Sequence, residues 1–169
     1  MLAGIKEIKS EYWENGDGMA KTIIIGSDHA GFEMKEFLIR HLKQEGFCIK
    51  DTGTFSEASV DFSPIAQAVA EEVGKDPQKQ GILICGTGIG MSVMANKVAG
   101  IRAALVHDLF SAKATREHND SNILCMGARV ISDYMALEIA HIWLGTAFLG
   151  GRHEARIRYI AEYEQKQRK

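Results

Sequence analysis

Residues 82–91, Ile82-Leu83-Ile84-Cys85-Gly86-Thr87-Gly88-Ile89-Gly90-Met91, join a short apolar run to a loop in which glycine alternates with other residues. An apolar run this short, halted by glycine, reads as a buried parallel strand that delivers its last side chain to the carboxyl edge of a sheet. Ligands of open α/β sheets bind at that edge. Glycines at 86, 88 and 90 let the main chain approach a bound molecule and turn several N–H donors toward one anionic point. Cys85 would sit beside that cradle. Its place at a strand end, followed by donors that favour a thiolate, sets a chemical role against the plainer one of a small packed hydrophobe.

Outward from this stretch, apolar runs alternate with amphipathic segments from Lys21 onward, with glycine, aspartate or serine at the changeovers. Strands are predicted at Thr22 to Gly26, Phe47 to Lys50, Gly81 to Cys85, Ala103 to Val106 and Ile123 to Met126. The first helix runs from Phe32 to Gln44, with Phe32, Phe37, Leu38 and Leu42 toward the sheet and Gly46 as its stop. The second opens at Ser63-Pro64, a cap followed by proline at the first helical position, and ends by Gly74. A third leaves the glycine loop and continues through Met94 and Val98, and Asp108 caps a fourth that runs toward His118. Ser132 or Asp133 opens a fifth, and a last helix follows Gly150-Gly151. Short strands joined by helices require a parallel sheet covered on both faces. The expected fold is α/β, a three-layer αβα Rossmann-like sandwich with five parallel strands.

The chain of 169 residues, with 46% hydrophobic and 25% charged residues, suits one globular domain. That domain is expected over residues 19–169. Residues 1–18, mixed in charge and ending Asn15-Gly16-Asp17-Gly18, read as an N-terminal extension; the alternative is a helix through Ile5, Ile8, Tyr12 and Trp13 docked on the body. A formal net charge of −2 gives no general attraction for nucleic acid or membrane. Cys48, Cys85 and Cys125 lack the paired spacing of a zinc site, and an odd cysteine count without a secretory signal fits a reducing cytoplasm. No metal and no cofactor is expected.

Polar groups gather in three further places. Ser27-Asp28-His29-Ala30-Gly31 ends the first strand, so its carboxylate and imidazole share the edge of Cys85; Asp28 equally suits a helix cap. Glu117-His118-Asn119-Asp120 closes the fourth helix. A helix that follows a parallel strand returns to the opposite edge of the sheet, so His118 is expected far from its own Cys85 and near the glycine loop of a second protomer if it is catalytic. Its plainer role is to satisfy the last helix carbonyls. Arg129 lies just past the fifth strand. Arg152 and Arg156 lie four residues apart on one helix face, a pair that suits a phosphate or a solvated basic surface. The glycine loop itself matches neither the dinucleotide fingerprint nor a P-loop, having no third glycine at the required place and no Gly-Lys-Ser/Thr ending.

Ser27-Asp28-His29-Ala30-Gly31, Ile84-Cys85-Gly86-Thr87-Gly88-Ile89-Gly90, His118-Asn119-Asp120 and Gly150-Gly151-Arg152-His153-Glu154, in this order, closely resemble the ribose-5-phosphate isomerase B family of sugar-phosphate isomerases. The likeness spans nearly everything from Lys21 to Glu164. It implies an aldose–ketose isomerase in which Cys85 moves a proton between C1 and C2 through an enediolate and His118, assisted by Asp28, opens the furanose ring. Thr87 and the N–H groups of Gly86, Gly88, Ile89 and Gly90 would hold the developing oxyanion. Asn119 would contact sugar oxygens, and His29, Arg129, Arg152, His153 and Arg156 would surround the phosphate. The family uses no metal.

Two positions depart from common family patterns. Relatives often read Asp-Tyr-Pro where this chain has Asp61-Phe62-Ser63-Pro64, which removes a phenol from the sugar's surroundings. Some relatives place a glutamate base at the position of Met91, which leaves Cys85 as the base of the two. The alternatives are an isomerase of galactose 6-phosphate, allose 6-phosphate or a tetrose phosphate and, more distantly, a non-catalytic flavodoxin-like ligand-sensing domain. The last needs an acidic residue where Cys85 stands. A homodimer with shared active sites is expected, with pairing into tetramers left open.

Overall fold

The computed structural model describes residues 22–167; the N-terminal extension considered above lies outside them. Five strands, β1 (Thr22–Ser27), β2 (Cys48–Asp51), β3 (Lys79–Cys85), β4 (Ala103–Leu105) and β5 (Ile123–Gly127), form one sheet in the order β2-β1-β3-β5-β4. All pairings are parallel. Between them run α1 (Phe32–Gln44), α2 (Phe62–Gly74), α3 (Ile89–Ala95) and α4 (Leu109–Asn119), and α5 (Asp133–Gly145) and α6 (Arg152–Gln167) follow the last strand. One turn of 3₁₀ helix, His29–Gly31, leads into α1. This is the expected three-layer α/β sandwich.

Because neighbouring strand residues point to opposite faces, each central strand feeds two cores. Ile23, Ile25, Ile82, Ile84, Leu124 and Met126 pack with α1, α4 and α5. Ile24, Leu83, Cys85, Ile123 and Cys125 pack with α2 and α3. Trp143 of α5 is fully buried and satisfies its indole by donating to Ser121 Oγ at 2.8 Å. Among the described residues no helix is long and apolar enough to cross a membrane.

The structure corrects two sequence expectations. The buried stripe of α1 is Met34, Lys35, Leu38, Ile39 and Leu42, whereas Phe32 and Phe37 are half-buried at its margins. Phe37 packs against the edge of that core and also meets His41 and Tyr134 at the flank of α5. Helix α3 stops at Ala95, short of Val98, because the Asn96 amide turns to the β4 backbone, accepting from Ala103 N and donating to Ala103 O, both at 2.9 Å. A side chain that offers the backbone other partners ends a helix.

Lys35 has no exposed side-chain surface, and its ammonium sits 2.6 Å from both Glu36 Oε1 and Asp51 Oδ2. Asp51 Oδ1 also accepts from Gly53 N at 2.9 Å, so this charge ties α1 to the loop after β2. A buried charge is tolerated only with its partners in place. Asp51→Ala, which leaves the buried ammonium only the half-exposed Glu36 and frees the Gly53 N–H, should therefore cost about 3 kcal/mol, and Lys35→Met under about 1.5 kcal/mol because it removes the buried charge while keeping the volume. Urea unfolding of both variants measures the order, which reverses if the pair is a net stabiliser in itself.

Candidate active site

The carboxyl edge is built around the meeting of β1 and β3. Their register pairs Ser27 with Ile84, and the Asp28 N–H continues it by donating to Ile84 O at 3.1 Å. Asp28, 8% exposed, uses Oδ1 as a cap, accepting from Ala30 N at 2.9 Å and Gly31 N at 3.1 Å. The cap reading of this aspartate holds, and among the described residues its Oδ2 takes no hydrogen bond. His29 Nδ1 lies 3.2 Å from both the N and the O of Val60, which fixes the ring against the loop ahead of α2.

On the next strand, Cys85 is buried at 6% exposure, with its sulfur 3.0 Å from the Gly88 N–H. Gly88 closes the turn in the left-handed region at φ 77°, and a Cβ there would lie 2.6 Å from Leu105 Cδ1 and 2.8 Å from the carbonyl carbon of Met126. Only glycine fits. Ile89 N donates to Thr87 Oγ1 at 3.3 Å, holding the exposed Thr87 over the start of α3. The Phe62 ring covers Gly90 so closely that a Cβ there would come within 2.7 Å of it. The departure at Phe62 thus still walls the loop, though without a hydroxyl.

From the other side, β5 fixes the same loop. Ala128 N donates to Cys85 O at 2.9 Å and Arg129 N to Gly86 O at 3.0 Å. The exposed Arg129 side chain passes over Gly86, with Nη1 3.4 Å from where a Cβ of that residue would stand. Cys125, one strand over and fully buried, has its thiol pushed far up by burial and by the nearby Cys85, so it stays protonated. Cys48 is exposed on the edge strand β2.

The remaining candidates assemble at the opposite edge. His118 and Asn119 end α4, and Asp120 follows as a left-handed cap at φ 46°, ψ 46°. Asp120 accepts from Arg116 Nη1 and Arg102 Nη2, each at 2.9 Å, and Arg102 Nε donates to the Asn119 carbonyl at 3.0 Å and the Asp120 carbonyl at 2.8 Å. His153, at the start of α6, stacks on His118, while Arg152 and Arg156 are exposed on the same helix. Burial, and then the charges of His118, Arg152 and Arg156, pull His153 below the ordinary imidazole range. The register pairs Gly81 with Ile123 and Cys85 with Gly127, so the edges are separated by about 13 Å of strand. Asp28, His29, Cys85, the glycine loop and Arg129 are thus together; His118, Asn119, Arg152, His153 and Arg156 form a second group away from them.

Sequence reading missed several of the residues that hold these groups in place. His107 Nε2 accepts from Gly127 N at 3.0 Å, clamping the β5 loop, and the signal for it was its place just past β4. Lys35, Arg102 and Arg116 gave no such signal, because each finds its partners through the tertiary fold.

A parallel sheet with a cysteine and a glycine cradle at its switch point defines an α/β protein equipped to hold an anionic small molecule. The Ribose/Galactose Isomerase family model matches residues 23–160, and the chain belongs to that family. It is 52% identical over 145 residues to a putative sugar phosphate isomerase of Bacillus subtilis, covering 85% of this chain and 97% of that protein. The structure of ribose-5-phosphate isomerase B from Clostridium thermocellum superposes with a TM-score of 0.83 at 45% identity, covering 86% of this chain and 99% of that one. The enzyme of the same name from Mycoplasma genitalium, solved with bound ribulose-5-phosphate, gives a TM-score of 0.83 at 40% identity over 85% of this chain and 96% of its own.

Gly88→Ala should force both the left-handed backbone strain and the clash with Leu105 and Met126, costing about 2 kcal/mol or more. A urea midpoint equal to that of the unaltered protein would show that the loop relaxes freely.

Proposed function

We propose that the protein interconverts D-ribose 5-phosphate and D-ribulose 5-phosphate by proton transfer through an enediolate. The observation that carries this reading is the Cys85 sulfur, aimed at the Gly88 N–H inside a glycine cradle and flanked by Arg129, in a chain similar to an enzyme solved with ribulose-5-phosphate. Cys85 takes the proton from C2 of the open-chain aldose, the electron pair forms the enediolate, the hydroxyl proton of O2 passes to O1, and the carbon-bound proton returns to C1 as the C2 carbonyl forms. The loop N–H groups and Thr87 stabilise the charge that grows on the sugar oxygens. Preorganised donors of this kind are each worth roughly 3 kcal/mol of barrier. Asp28 Oδ2 is the free acceptor for a sugar hydroxyl, and His29 and Arg129 supply cationic or donor groups nearby.

His118 serves as the acid and base that opens the furanose, with Asn119 on the sugar oxygens and Arg152 and Arg156 on the phosphate. A pentose phosphate does not reach from Cys85 across the depth of the sheet to these side chains in one copy, so the reading requires a homodimer in which each site takes its second group from the other chain. Exposed apolar side chains support it: Ile89 and Val93 beside the glycine loop, Phe110 at the start of α4, and Tyr159 and Ile160 on α6. Apolar patches of this kind mark association surfaces. A reducing cytoplasm, with no metal and no cofactor, is the setting this chemistry needs.

Cys85→Ser should nearly abolish turnover while leaving binding of a phosphate inhibitor intact, whereas Arg152→Ala should weaken the inhibitor; full activity of the serine variant would remove Cys85 from the reaction. Mixing inactive Cys85→Ser with inactive His118→Ala should restore about a quarter of normal activity, because half of the random dimers carry one intact site. No recovery after subunit exchange would place both groups within one chain. Catalytic efficiencies over four-, five- and six-carbon sugar phosphates should rank ribose 5-phosphate first; a six-carbon substrate in that place would move the assignment to the galactose or allose branch.

A further inference from the structure

The imidazoles of His118 and His153 lie face to face, with centroids 4.5 Å apart and planes 13° from parallel. Their surroundings differ. His118 is half-buried, whereas His153 is only 5% exposed and its Nδ1 is buried with no hydrogen-bond partner among the described residues. The other nitrogen, Nε2, lies 3.5 Å from Arg152 Nε, a donor. A protonated imidazole carries two N–H groups and needs an acceptor for each. The groups that bear on it are His118 and Glu117 from α4 and Arg152 and Arg156 from α6, and only Glu117 favours a positive charge. Two stacked cations beside two guanidinium groups are therefore disfavoured, and His153 is the ring that stays neutral.

The chain is built to bring this ring to its partner. Gly150 and Gly151 both lie in the left-handed region, at φ 62° and 55°, and His153 N donates to Gly150 O at 3.0 Å. Leu149 N donates to Glu117 O at 3.2 Å, which pins the linker to the residue before His118. With its face covered by the stack and its edge buried, His153 has little surface to offer a phosphate. Arg152 and Arg156, both exposed, have ample surface.

We propose that His153 is a positioning residue for His118: a buried plate whose stack fixes the plane in which the His118 ring meets the sugar. The inference rests on the reading of His118 as the ring-opening group, and it replaces a phosphate contact for His153 with an orienting one. Displacement of a catalytic group by about 1 Å costs up to a hundredfold in rate.

The test separates ring opening from proton transfer. Ribulose 5-phosphate has its C5 oxygen blocked and forms no furanose, so exchange of its C1 hydrogen with D₂O needs Cys85 but not ring opening. In the full chain, His153→Phe keeps a flat ring that cannot titrate, and it should leave kcat, KM and the pH profile for ribose 5-phosphate within about twofold. His153→Ala should lower kcat for ribose 5-phosphate about tenfold or more with KM and the C1 exchange rate within about twofold. If the alanine variant does not fold, His153→Leu, which fills the space without a flat ring, takes its place with the same expected loss. A rise in KM or loss of inhibitor affinity in His153→Phe comparable to Arg152→Ala would make His153 a phosphate ligand and overturn the proposal. An alanine variant with unchanged kcat, or one that loses exchange as much as turnover, would overturn it too. Full ribose 5-phosphate turnover by His118→Ala would defeat the ring-opening reading itself, and the inference with it.

Discussion

Parallel pairing of β1 with β3 is the contact on which the rest of this molecule depends. Two adjacent strands that run the same way end at the same edge, and their connections leave in opposite directions, which opens a crevice between the loops. Here the pairing is carried one residue beyond the strands by the Asp28 N–H on the Ile84 carbonyl. The chain then passes so close that a Cβ at Gly31 would lie 2.7 Å from that carbonyl oxygen. The two loops are thus held against each other by main-chain contacts, with no long side chain to spread them. A second set of bonds, from Ala128 and Arg129 to the Cys85 and Gly86 carbonyls, clamps the cysteine loop from the side of β5. Cys85 consequently sits on a backbone fixed from both flanks, the condition that its proposed role in proton transfer would require.

The amino-terminal edge reaches comparable rigidity by electrostatic means. Asp120 adopts a left-handed backbone that costs an L residue roughly 1–2 kcal/mol. Its carboxylate then bridges two guanidinium groups, and charge-assisted bonds of this kind are each worth roughly 1.5–3 kcal/mol. Arg116 is 6% exposed, so desolvation lowers its affinity for its proton; it stays charged because Asp120 opposes that and the Ser121 and Thr146 carbonyls accept from its remaining N–H groups. Each guanidinium also donates to main-chain carbonyls, so the carboxylate and the chain end are held by several bonds at once. Helix α4 therefore ends at one defined residue, and His118 and Asn119 are presented in its last turn.

The sequence displayed the carboxyl edge far better than the amino-terminal one, and the physical reason is locality. The run through Cys85 to Gly90 carries its own strand, turn and helix start, so the position of the sulfur follows from period and glycine placement alone. Ser63-Pro64 and Asp108 announced their helices in the same local way. Lys35 shows the limit: within α1 it reads as one more polar helix residue, and its burial follows from Asp51 on another strand, which no window around Lys35 contains. The His118 stack is likewise a contact between segments thirty-five positions apart, brought about by a glycine turn whose direction a sequence does not reveal. The partial burial of Phe37 has a similar origin, since a large aromatic at helix spacing can fill a core stripe or, as here, the edge of the core and its seam with Tyr134.

The separation of the two groups is itself a chemical argument about the site. On the proposed reading, a carboxyl edge whose cysteine is the base, with an amide cradle, Arg129 and His29, can support an enediolate, but it has few cations for a phosphate dianion once the sugar oxygens have taken their share. The other edge has the reverse composition: Arg152 and Arg156 stand exposed there, and among the described residues no carboxylate forms an ion pair with either. Fixed like charges left unpaired on a surface repel one another and are disfavoured until something anionic arrives. A phosphorylated sugar held between two copies supplies that anion to one edge and its reactive carbons to the other. Under the proposed arrangement the substrate closes the charge balance of the interface, and neither edge could select a phosphorylated aldose without the other.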